Sequence, residues 1–435
     1  MVKISFLGAT REVGRSAVLI ESKSTQKVIL DYGVRFSEDD RLPINADLSN
    51  LKAIALSHCH VDHCGAMPYL YKDSNIPFFT NPLSLRISEI LLKDMIKVSK
   101  YPYPFGFNDL DQWRRNAQFL KIGERIKISD DIFMTFYDAG HIPGSVSILL
   151  EVDKKSILYT GDINSQNTNL VYPANSSDMP EIDVLITEST YATKEHPPRE
   201  RLEQEFVERI LNVTENSGRV LIPAFGVARS QEILLILNKY DINIPIYIDG
   251  LARKISDAYL NFPKEFRNFS HLKKSLKRVN YVRSKNRKSI IQKARGIIIS
   301  PSGMLKGGAV IDYVSSIIKD SNAAVYFVGY QVEGNPGRKL LDERIFDYDE
   351  KLYTNYMEKD LSSLKAKCEV DYFDFSSHSD KTHLYKYIDD LIFSNSSRFV
   401  FCIHGEDKSV SSLASNLNRG QYNAVAPEIG ETYIV

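Results

Sequence analysis

The feature that most constrains this chain is the dense polar cluster Ser57-His58-Cys59-His60-Val61-Asp62-His63, at the end of a predicted strand over residues 52–57. Zinc binds imidazole nitrogens and carboxylate oxygens at about 2.0–2.2 Å, so its ligands must be packed densely. A strand that runs into a turn and a helix can direct four such side chains toward two neighbouring metal ions. The competing interpretation, a set of turn-capping polar residues, would crowd three imidazoles and a carboxylate together without partners.

Further candidate ligands share one position in the pattern, because each lies just beyond the end of an apolar run. They are Asp31, His141, Asp162, Glu188 and His404. In open sheets, functional side chains collect beyond the strand ends, where loops converge on a rigid frame. Each residue alone could be a turn or capping residue. Together with the cluster at His58 they indicate a single site.

Cys59 and Cys64 offer a rival interpretation, a zinc knuckle built from cysteine and histidine. The other two cysteines, Cys368 and Cys402, are too distant in sequence to supply a second zinc-finger pair. We therefore expect Cys59 and Cys64 to be small buried apolar residues.

Short apolar runs alternate with longer helical patterns along all 435 residues, which indicates an α/β protein of two or three domains. The hydrophobic fraction of 43% and the charged fraction of 25% exclude wholesale disorder. No apolar run reaches the roughly 18 residues that span a bilayer, and the N-terminus does not read as a signal peptide. Four cysteines are too few for a disulfide scaffold. The sequence predicts a cytoplasmic protein with no membrane association.

Positive charge is concentrated in one segment of an otherwise balanced chain. The 55 basic and 55 acidic residues cancel, yet residues 264–295 contain twelve Lys or Arg and a single acid, Glu265. Such a segment is either a solvated helix face or a surface that attracts phosphates. Bulk charge gives no support for nucleic-acid binding, whereas this segment does.

These residues resemble the motifs of two related groups of proteins. The cluster from His58 to His63, with Asp31, His141 and Asp162, resembles the four motifs of the metallo-β-lactamase superfamily. Three further segments are similar to the β-CASP nucleases, namely Thr187-Glu188-Ser189-Thr190-Tyr191, Phe375-Ser-Ser-His378-Ser-Asp380 and Ile403-His404-Gly405-Glu406. More narrowly, the chain resembles archaeal homologues of the endonuclease subunit of cleavage and polyadenylation specificity factor. Larger archaeal relatives carry an N-terminal KH module, whereas this chain begins with its first predicted strand, so we expect little sequence selectivity.

The resemblance implies a site with two Zn²⁺ ions, although Mn²⁺ is also compatible with these ligands. His58, His60 and His141 hold one ion, Asp62, His63 and His404 hold the other, and Asp162 bridges them. Asp31 orients a ligand histidine from behind. Asp62, Asp162, Glu188 and His378 are the implied catalytic residues, with Glu188 fixing the tautomer of His378, which donates a proton or hydrogen bond to the phosphate or leaving oxygen.

Substrate binding is expected from a Gly/Ser loop and two arginines. The loop Ser300-Pro301-Ser302-Gly303 follows a predicted strand, so its amides can hold a phosphate, and Arg229 and Arg338 can assist. Gly/Ser loops of this kind are common, so these residues are the least specific of the set.

The implied architecture is a metallo-β-lactamase αββα sandwich over residues 1–192 and 370–435, with a parallel-sheet β-CASP domain inserted over residues 193–369. The implied activity is metal-dependent hydrolysis of single-stranded RNA. Two alternatives are a small-molecule hydrolase of the glyoxalase or lactamase type, which would not need the inserted basic segment, and a non-catalytic RNA-processing subunit, which typically loses ligands.

Several properties stay open at the level of sequence. Endonucleolytic cutting and 5′-to-3′ exonucleolytic trimming use the same kind of site, so the sequence does not separate them. The resemblance is compatible with a homodimer formed through residues 427–435, and with RNA-processing or translation-associated proteins as partners.

Overall fold

The structure, a computed structural model, describes residues 1–36, 41–72, 74–99, 101–293, 295–347, 363–394 and 398–435. The chain forms two compact units. The first contains Met1–Glu195 and Ser377–Val435, and the second contains His196–Ser376.

Two seven-stranded sheets form the centre of the first unit. One sheet consists of β1 Lys3–Phe6, β2 Val18–Glu21, β3 Lys27–Leu30, β4 Leu51–Ala55, β5 Phe78–Thr80, β6 Ala117–Phe119 and β22 Thr432–Ile434, in the order β22-β1-β2-β3-β4-β5-β6. The other consists of β7 Arg125–Lys127, β8 Ile132–Asp138, β9 Val146–Val152, β10 Lys155–Tyr159, β11 Val184–Glu188, β20 Phe399–Ile403 and β21 Asn423–Val425, in the order β21-β20-β11-β10-β9-β8-β7.

Side chains from the inner faces of both sheets form one apolar core. Alternation along the strands explains how a second core forms on each outer face. In β10, for example, Ile157 and Tyr159 point between the sheets, while Leu158 joins the outer core. Helices cover both outer faces, and the αββα architecture expected from the sequence is therefore confirmed. These helices are α1 Val61–Cys64, α2 Pro82–Val98, α3 Phe107–Arg115, α11 Lys381–Asp389 and α12 Asp407–Asn418, with 3₁₀ turns at Met67–Tyr71 and Ser176–Asp178.

The second unit is built on a six-stranded sheet in which every described pairing is parallel. Its order is β14-β13-β15-β12-β16-β19, with strands β12 Arg219–Pro223, β13 Ile246–Ile248, β14 Asn280–Tyr281, β15 Gly296–Ser300, β16 Ala324–Phe327 and β19 Glu369–Tyr372. Its helices are α4 Arg199–Glu215, α5 Arg229–Lys239, α6 Gly250–Tyr259, α7 Phe269–Arg278, α8 Ser284–Lys293, α9 Ala309–Ile317 and α10 Pro336–Glu343. A 3₁₀ turn at Pro263–Glu265 and a two-stranded sheet of β17 Ile345–Asp347 and β18 Ser363–Lys365 complete the unit.

The far end of the second unit differs from the boundary expected at residue 370. Strand β19 pairs with β16 in the parallel sheet, so Glu369–Tyr372 is part of the second unit. Both chain crossings between the units, at residues 195–196 and 376–377, lie a few residues after the expected positions. Within the described ranges, no helix has the length and apolarity needed to cross a membrane.

Candidate metal centre

The candidate ligands of the first unit lie in loops that follow its strands, except Asp62 and His63, which lie in α1. His58 and His60 follow β4, His141 follows β8, Asp162 follows β10, and His404 is the residue after β20. Strands β10, β11 and β20 run parallel to one another, so their carboxyl ends share one edge of the sheet. All of the expected ligands therefore belong to one unit, and the structure brings them together in two groups that share Asp162.

The first group, which we call the His58 group, consists of His58, His60, His141 and Asp162. The Nδ1 atom of His60 lies 3.0 Å from Nε2 of His58 and 3.2 Å from Nε2 of His141. Asp162 Oδ2 lies 3.4 Å from Nε2 of His58 and 3.6 Å from Nε2 of His141. Ligands at 2.1 Å from a tetrahedral ion are separated by about 3.4 Å, so these separations match those between ligands of one metal ion.

The second group, the His63 group, consists of Asp62, His63 and His404. The Nε2 atoms of His63 and His404 are 3.3 Å apart, and Asp62 Oδ2 lies 3.4 Å from Nε2 of His404. Asp162 approaches this group with its other oxygen, because Oδ1 lies 3.2 Å from Nε2 of His63 and 3.4 Å from Nδ1 of His404. One carboxylate thus presents a different oxygen to each group.

For two of the imidazoles, a hydrogen bond on the far side determines which nitrogen carries a hydrogen. His141 Nδ1 lies 2.8 Å from the carbonyl oxygen of Ser377, which can only accept, so Nδ1 is the donor and Nε2 is left with a lone pair. The carboxylate of Asp31 has the same effect on His63, with 2.7 Å between Oδ2 and Nδ1. The lone pairs therefore point toward the other ligands.

His58 is oriented through a hydroxyl group. Ser57 Oγ donates to Asp31 Oδ2 at 2.7 Å and lies 3.0 Å from His58 Nδ1, from which it can accept. Tyr159 also donates to Asp31 Oδ2, at 2.7 Å. Asp31 thus orients His63 directly and His58 through Ser57, which is the kind of supporting contact that tunes metal ligands.

The backbone at two of these positions adopts the left-handed conformation, which is uncommon for residues other than glycine. Asp31 has a φ of 58° and His404 a φ of 48°. Both residues directly follow a strand, where the unusual φ turns the side chain off the end of the sheet. Such conformations persist only where the surrounding contacts hold them, and they concentrate at functional sites.

Glu188 and His378 form a third contact with Asp162. Glu188 Oε1 accepts hydrogen bonds from the amide of Ile163 and from Nδ1 of His378, each at 2.8 Å. Its Oε2 accepts from the amide of Thr190 at 3.2 Å. The carboxylate is therefore fixed by the backbone, and it leaves Nε2 of His378 on the side of Asp162, 3.9 Å from Oδ2.

The surroundings of the imidazoles give His58 and His63, one from each group, pKa shifts in opposite directions. Burial lowers the pKa of His60 to about 4, and burial followed by the charge of His63 lowers that of His58. Burial also acts on His63, but Asp162 and Asp31 outweigh it and hold its pKa well above the ordinary value. For His378, Glu188 and Asp162 outweigh burial and raise the pKa to about 9.

The donor set fits a divalent metal ion. Several imidazole nitrogens within 3.0–3.3 Å of one another cannot all be satisfied by donating to each other. Among the described residues, the buried Oδ1 atom of Asp162 has no hydrogen-bond donor. Buried polar groups of this kind are costly unless they are paired or coordinate a metal. Imidazole and carboxylate ligands together suit zinc and other first-row transition metals.

The expected substrate-binding residues all lie in the second unit. Ser300 ends β15 and is buried, and a side chain at Gly303 would come within 3.3 Å of the amide nitrogen of Phe225. Arg229 begins α5 and is buried. Burial raises the pKa of Asp374, but other neighbours and, to a smaller extent, the charge of Arg229 lower it. The guanidinium of Arg338, on α10, pairs with Asp342 at 2.6 Å. Arg338 therefore meets a carboxylate within its own helix.

Supporting residues of the centre were not among those expected from the sequence. They are Ser57, Tyr159, Thr190 and the backbone of Ser377, which contact Asp31, His58, His141 or His404. Ser57 and Ser377 each precede a candidate histidine in sequence, which is the one signal that could have indicated them. Cys59 and Cys64 are buried and free, and Cys64 Sγ donates to the carbonyl of Cys59.

Comparisons with known protein families cover most of the chain. The sequence matches the metallo-beta-lactamase superfamily over residues 10–199, the Beta-Casp domain over residues 230–340, and the Zn-dependent metallo-hydrolase RNA specificity domain over residues 363–427. The chain belongs to the β-CASP family of metallo-β-lactamase proteins, as the motifs predicted.

Archaeal proteins of similar or greater length are among its relatives. The chain is 36% identical to the RNase aCSPSF2 of Saccharolobus solfataricus, covering 98% of this chain and 84% of that protein. It is 34% identical to the probable RNase MJ4 of Methanocaldococcus jannaschii, covering 99% of both. It is also 30% identical to the transcription termination factor FttA of the same organism, covering 96% of this chain and 69% of that protein. A crystal structure of an Enterococcus faecalis protein of unknown function shares the fold, with a TM-score of 0.64, 15% identity and full coverage of both chains.

Proposed function

We propose that this chain is a metal-dependent ribonuclease that hydrolyses phosphodiester bonds in single-stranded RNA. The observation that carries the proposal is the division of Asp162 between the two groups, with Oδ2 facing His58 and His141 and Oδ1 facing His63 and His404. The match to an RNA specificity domain and the relatives named as RNases support RNA as the substrate.

The proposed cofactor is a pair of zinc ions, held by His58, His60, Asp62, His63, His141, Asp162 and His404. Two such ions, when bound, lower the pKa of a water molecule and stabilise the charge that develops on the phosphate oxygens. The fold and this cluster support a divalent metal, and the choice of zinc rests on the number of imidazoles. Asp31, Ser57 and Ser377 orient the histidines.

His378 is the proposed proton donor. Glu188 accepts from Nδ1 of His378, which leaves Nε2 to face the reacting phosphate. A histidine in this position can give a hydrogen bond or a proton to the leaving oxygen as the bond to phosphorus breaks. Glu188 acts through His378 and is a positioning residue, because both of its oxygens accept hydrogen bonds from backbone amides as well.

The proposal includes five substrate-binding residues, namely Ser300, Ser302, Gly303, Arg229 and Arg338. Ser300 and Gly303 lie where the parallel strand β15 ends, a position at which ligands often bind in such sheets. Arg338 can contact a phosphate only if its guanidinium exchanges Asp342 for the substrate. A homodimer and a cytoplasmic location stay predictions, which light scattering and cell fractionation can test.

Metal removal tests the proposal. The purified chain is dialysed against a chelator, its metal content is measured by mass spectrometry, and hydrolysis of single-stranded RNA labelled at both ends is followed. We expect activity to disappear with the metal and to return when Zn²⁺ or Mn²⁺ is added. We also expect the melting temperature of the metal-free chain to fall by several degrees, since bound metal stabilises the folded state by mass action.

The same substrate decides between the alternatives. RNA hydrolysis that persists in protein shown to be free of metal contradicts the proposal. Turnover of thioesters or lactams without any RNA hydrolysis favours a small-molecule hydrolase. RNA carrying a 5′-hydroxyl, monophosphate or triphosphate separates internal cutting from trimming at the 5′ end.

A further inference from the structure

The basic segment of the second unit presents its charges to solvent. Residues 264–295 contain twelve Lys or Arg, all in the described part of the chain, and eleven of them are exposed. Eight have no acidic partner among the described residues, namely Lys264, Lys273, Lys274, Lys277, Arg283, Lys285, Lys288 and Lys293. Unpaired, exposed charges of one sign create a local field that attracts a polyanion.

Helix α7 places its cations on one side. Leu272, Ser275 and Leu276 are buried, while Lys273, Lys274 and Lys277 are exposed. Residues four apart lie next to each other on a helix, so Lys273 and Lys277 are neighbours. Like charges at this spacing are mildly destabilising, so helix stability alone does not explain them.

Helix α8 is held in place by a partly buried arginine that pairs with two buried carboxylates. Arg287 Nε donates to Asp249 Oδ2 at 2.7 Å, and its Nη1 donates to Asp312 Oδ2 at 3.1 Å. Tyr313 adds a hydrogen bond to Asp249 at 2.8 Å. Arg287 therefore anchors the helix to the sheet and to α9, while Lys285, Lys288 and Lys293 stay exposed. The other cations are thus displayed on a fixed helix.

The two helices border the same sheet edge. Strand β14 lies at the edge of the six-stranded sheet, α7 precedes it, and α8 follows it. Helix α7 packs against α5, and α8 packs against α9, on the other face of the sheet. The positive surface, defined here as α7, β14 and α8, therefore surrounds the β14 edge. Tyr281 on β14 is 37% exposed and is the one large apolar side chain exposed among the described residues of this segment.

The composition of this surface distinguishes nucleic acid from protein as its partner. Protein interfaces have an apolar centre from which lysine is depleted. Interfaces for nucleic acid are more polar and far more positive. Grooves that bind single strands combine positive charge with an aromatic side chain on which a base can stack. Lysines around a single tyrosine match the second description.

We propose that the surface formed by α7, β14 and α8 is a binding site for the phosphate backbone of single-stranded RNA, separate from the residues of the metal centre. The choice of RNA rests on the proposed function. The surface contacts phosphates rather than base edges, so it binds without sequence preference and its affinity falls steeply with salt.

Charge removal tests the site in the full chain as purified. One variant carries Lys273→Gln, Lys274→Gln and Lys277→Gln, and a second carries Lys285→Gln, Lys288→Gln and Lys293→Gln. The control carries Lys52→Gln, Lys97→Gln and Lys121→Gln, three exposed lysines of the first unit. Glutamine keeps helix propensity, so melting temperatures should stay at the wild-type value. Binding of a fluorescein-labelled, 30-nucleotide phosphorothioate RNA is followed by anisotropy between 50 and 400 mM salt.

Each phosphate contact in a single strand contributes about −0.7 to the slope of log affinity against log salt, so the loss of three contacts makes the slope less steep by about 2. The corresponding loss of affinity near physiological salt is roughly 10- to 50-fold. Binding by both variants with the affinity and slope of the control would overturn the proposal. If the variants lose affinity and slope but the wild-type chain hydrolyses no RNA, the ribonuclease proposal fails and the binding site stands. If the wild-type chain hydrolyses RNA but the variants show no change of slope, the binding site fails and the ribonuclease proposal stands.

Discussion

The two groups of the metal centre are built on different supports. In the His58 group, the far nitrogens meet neutral atoms, the Ser57 hydroxyl behind His58 and the Ser377 carbonyl behind His141. In the His63 group, His63 rests directly on the carboxylate of Asp31. Asp62 adds a second negative charge to that group, beside His404.

This difference concerns charge as much as geometry. The His58 group has neutral imidazoles and shares one carboxylate, whereas the His63 group has Asp62 and the shared Asp162 beside its imidazoles, and Asp31 behind His63. Carboxylates near a cation stabilise it, and a carboxylate behind an imidazole raises the basicity of that ligand. The two halves should therefore differ in how they respond to substitution, with Asp162 as the residue on which both depend.

The largest effect is expected from Asp162→Asn. Asparagine keeps the shape of the side chain, but it replaces one oxygen with an amide nitrogen that cannot act as a ligand. We expect kcat for RNA hydrolysis to fall by about three orders of magnitude or more, equivalent to about 4 kcal/mol. Metal content measured by mass spectrometry should fall below that of the wild type.

Asp130→Asn is the matched control, because Asp130 is an exposed aspartate of the same unit that pairs with Lys127. It should keep wild-type activity and metal content. If the Asp162→Asn variant keeps the metal of both groups and most of the wild-type activity, the His58 group and the His63 group do not depend on a shared carboxylate.

A smaller effect is expected from Glu188→Gln, because Glu188 contacts neither Asp31 nor Ser57, which support His63 and His58. Glutamine can still accept from the Ile163 amide, but it loses the charge that holds His378. General acid catalysis contributes about 10²–10⁴-fold, so we expect kcat to fall by about 10²-fold. KM and metal content should stay unchanged, since the residue acts through His378.

Glu151→Gln serves as the control, because Glu151 is a partly exposed residue of β9 that pairs with Arg125. A loss of metal in Glu188→Gln would show that Asp162, Glu188 and His378 form a third metal group, which their proximity alone allows. An equal loss of kcat in the control would point to a general effect on folding.

Much of the fold follows from local patterns in the sequence. The strands of the first unit are short apolar runs such as Ile157–Tyr159, and the parallel sheet of the second unit follows from its alternation of strand and helix. The assignment of β19 does not follow, because Glu369–Tyr372 reads as an ordinary strand and only its pairing with β16 places it in the second unit. Local pattern predicts an element, but long-range pairing decides its sheet.

The site divides in the same way. Histidines and aspartates beyond strand ends are recognisable because few other roles explain them in that density. Tyr159 and Thr190 are not, since a tyrosine in an apolar strand and a threonine in a loop have many ordinary roles. Their contacts with Asp31 and His404 depend on segments that are remote in sequence and meet only in the folded chain.

The smallest effect, and the sharpest test of the difference between the groups, is expected from Asp31→Asn. The amide keeps one oxygen for its neighbours but removes the charge behind His63, and losses of supporting contacts typically cost about 10–100-fold in metal affinity or activity. Because His58 meets a hydroxyl rather than this carboxylate, we expect one metal equivalent to be lost at a chelator concentration that leaves the other bound. Asp183→Asn, a half-buried aspartate that pairs with Lys155 in the same unit, should retain both. Equal weakening of both equivalents in Asp31→Asn would mean that the charge acts on the His58 group through Ser57 as strongly as it acts on His63 directly.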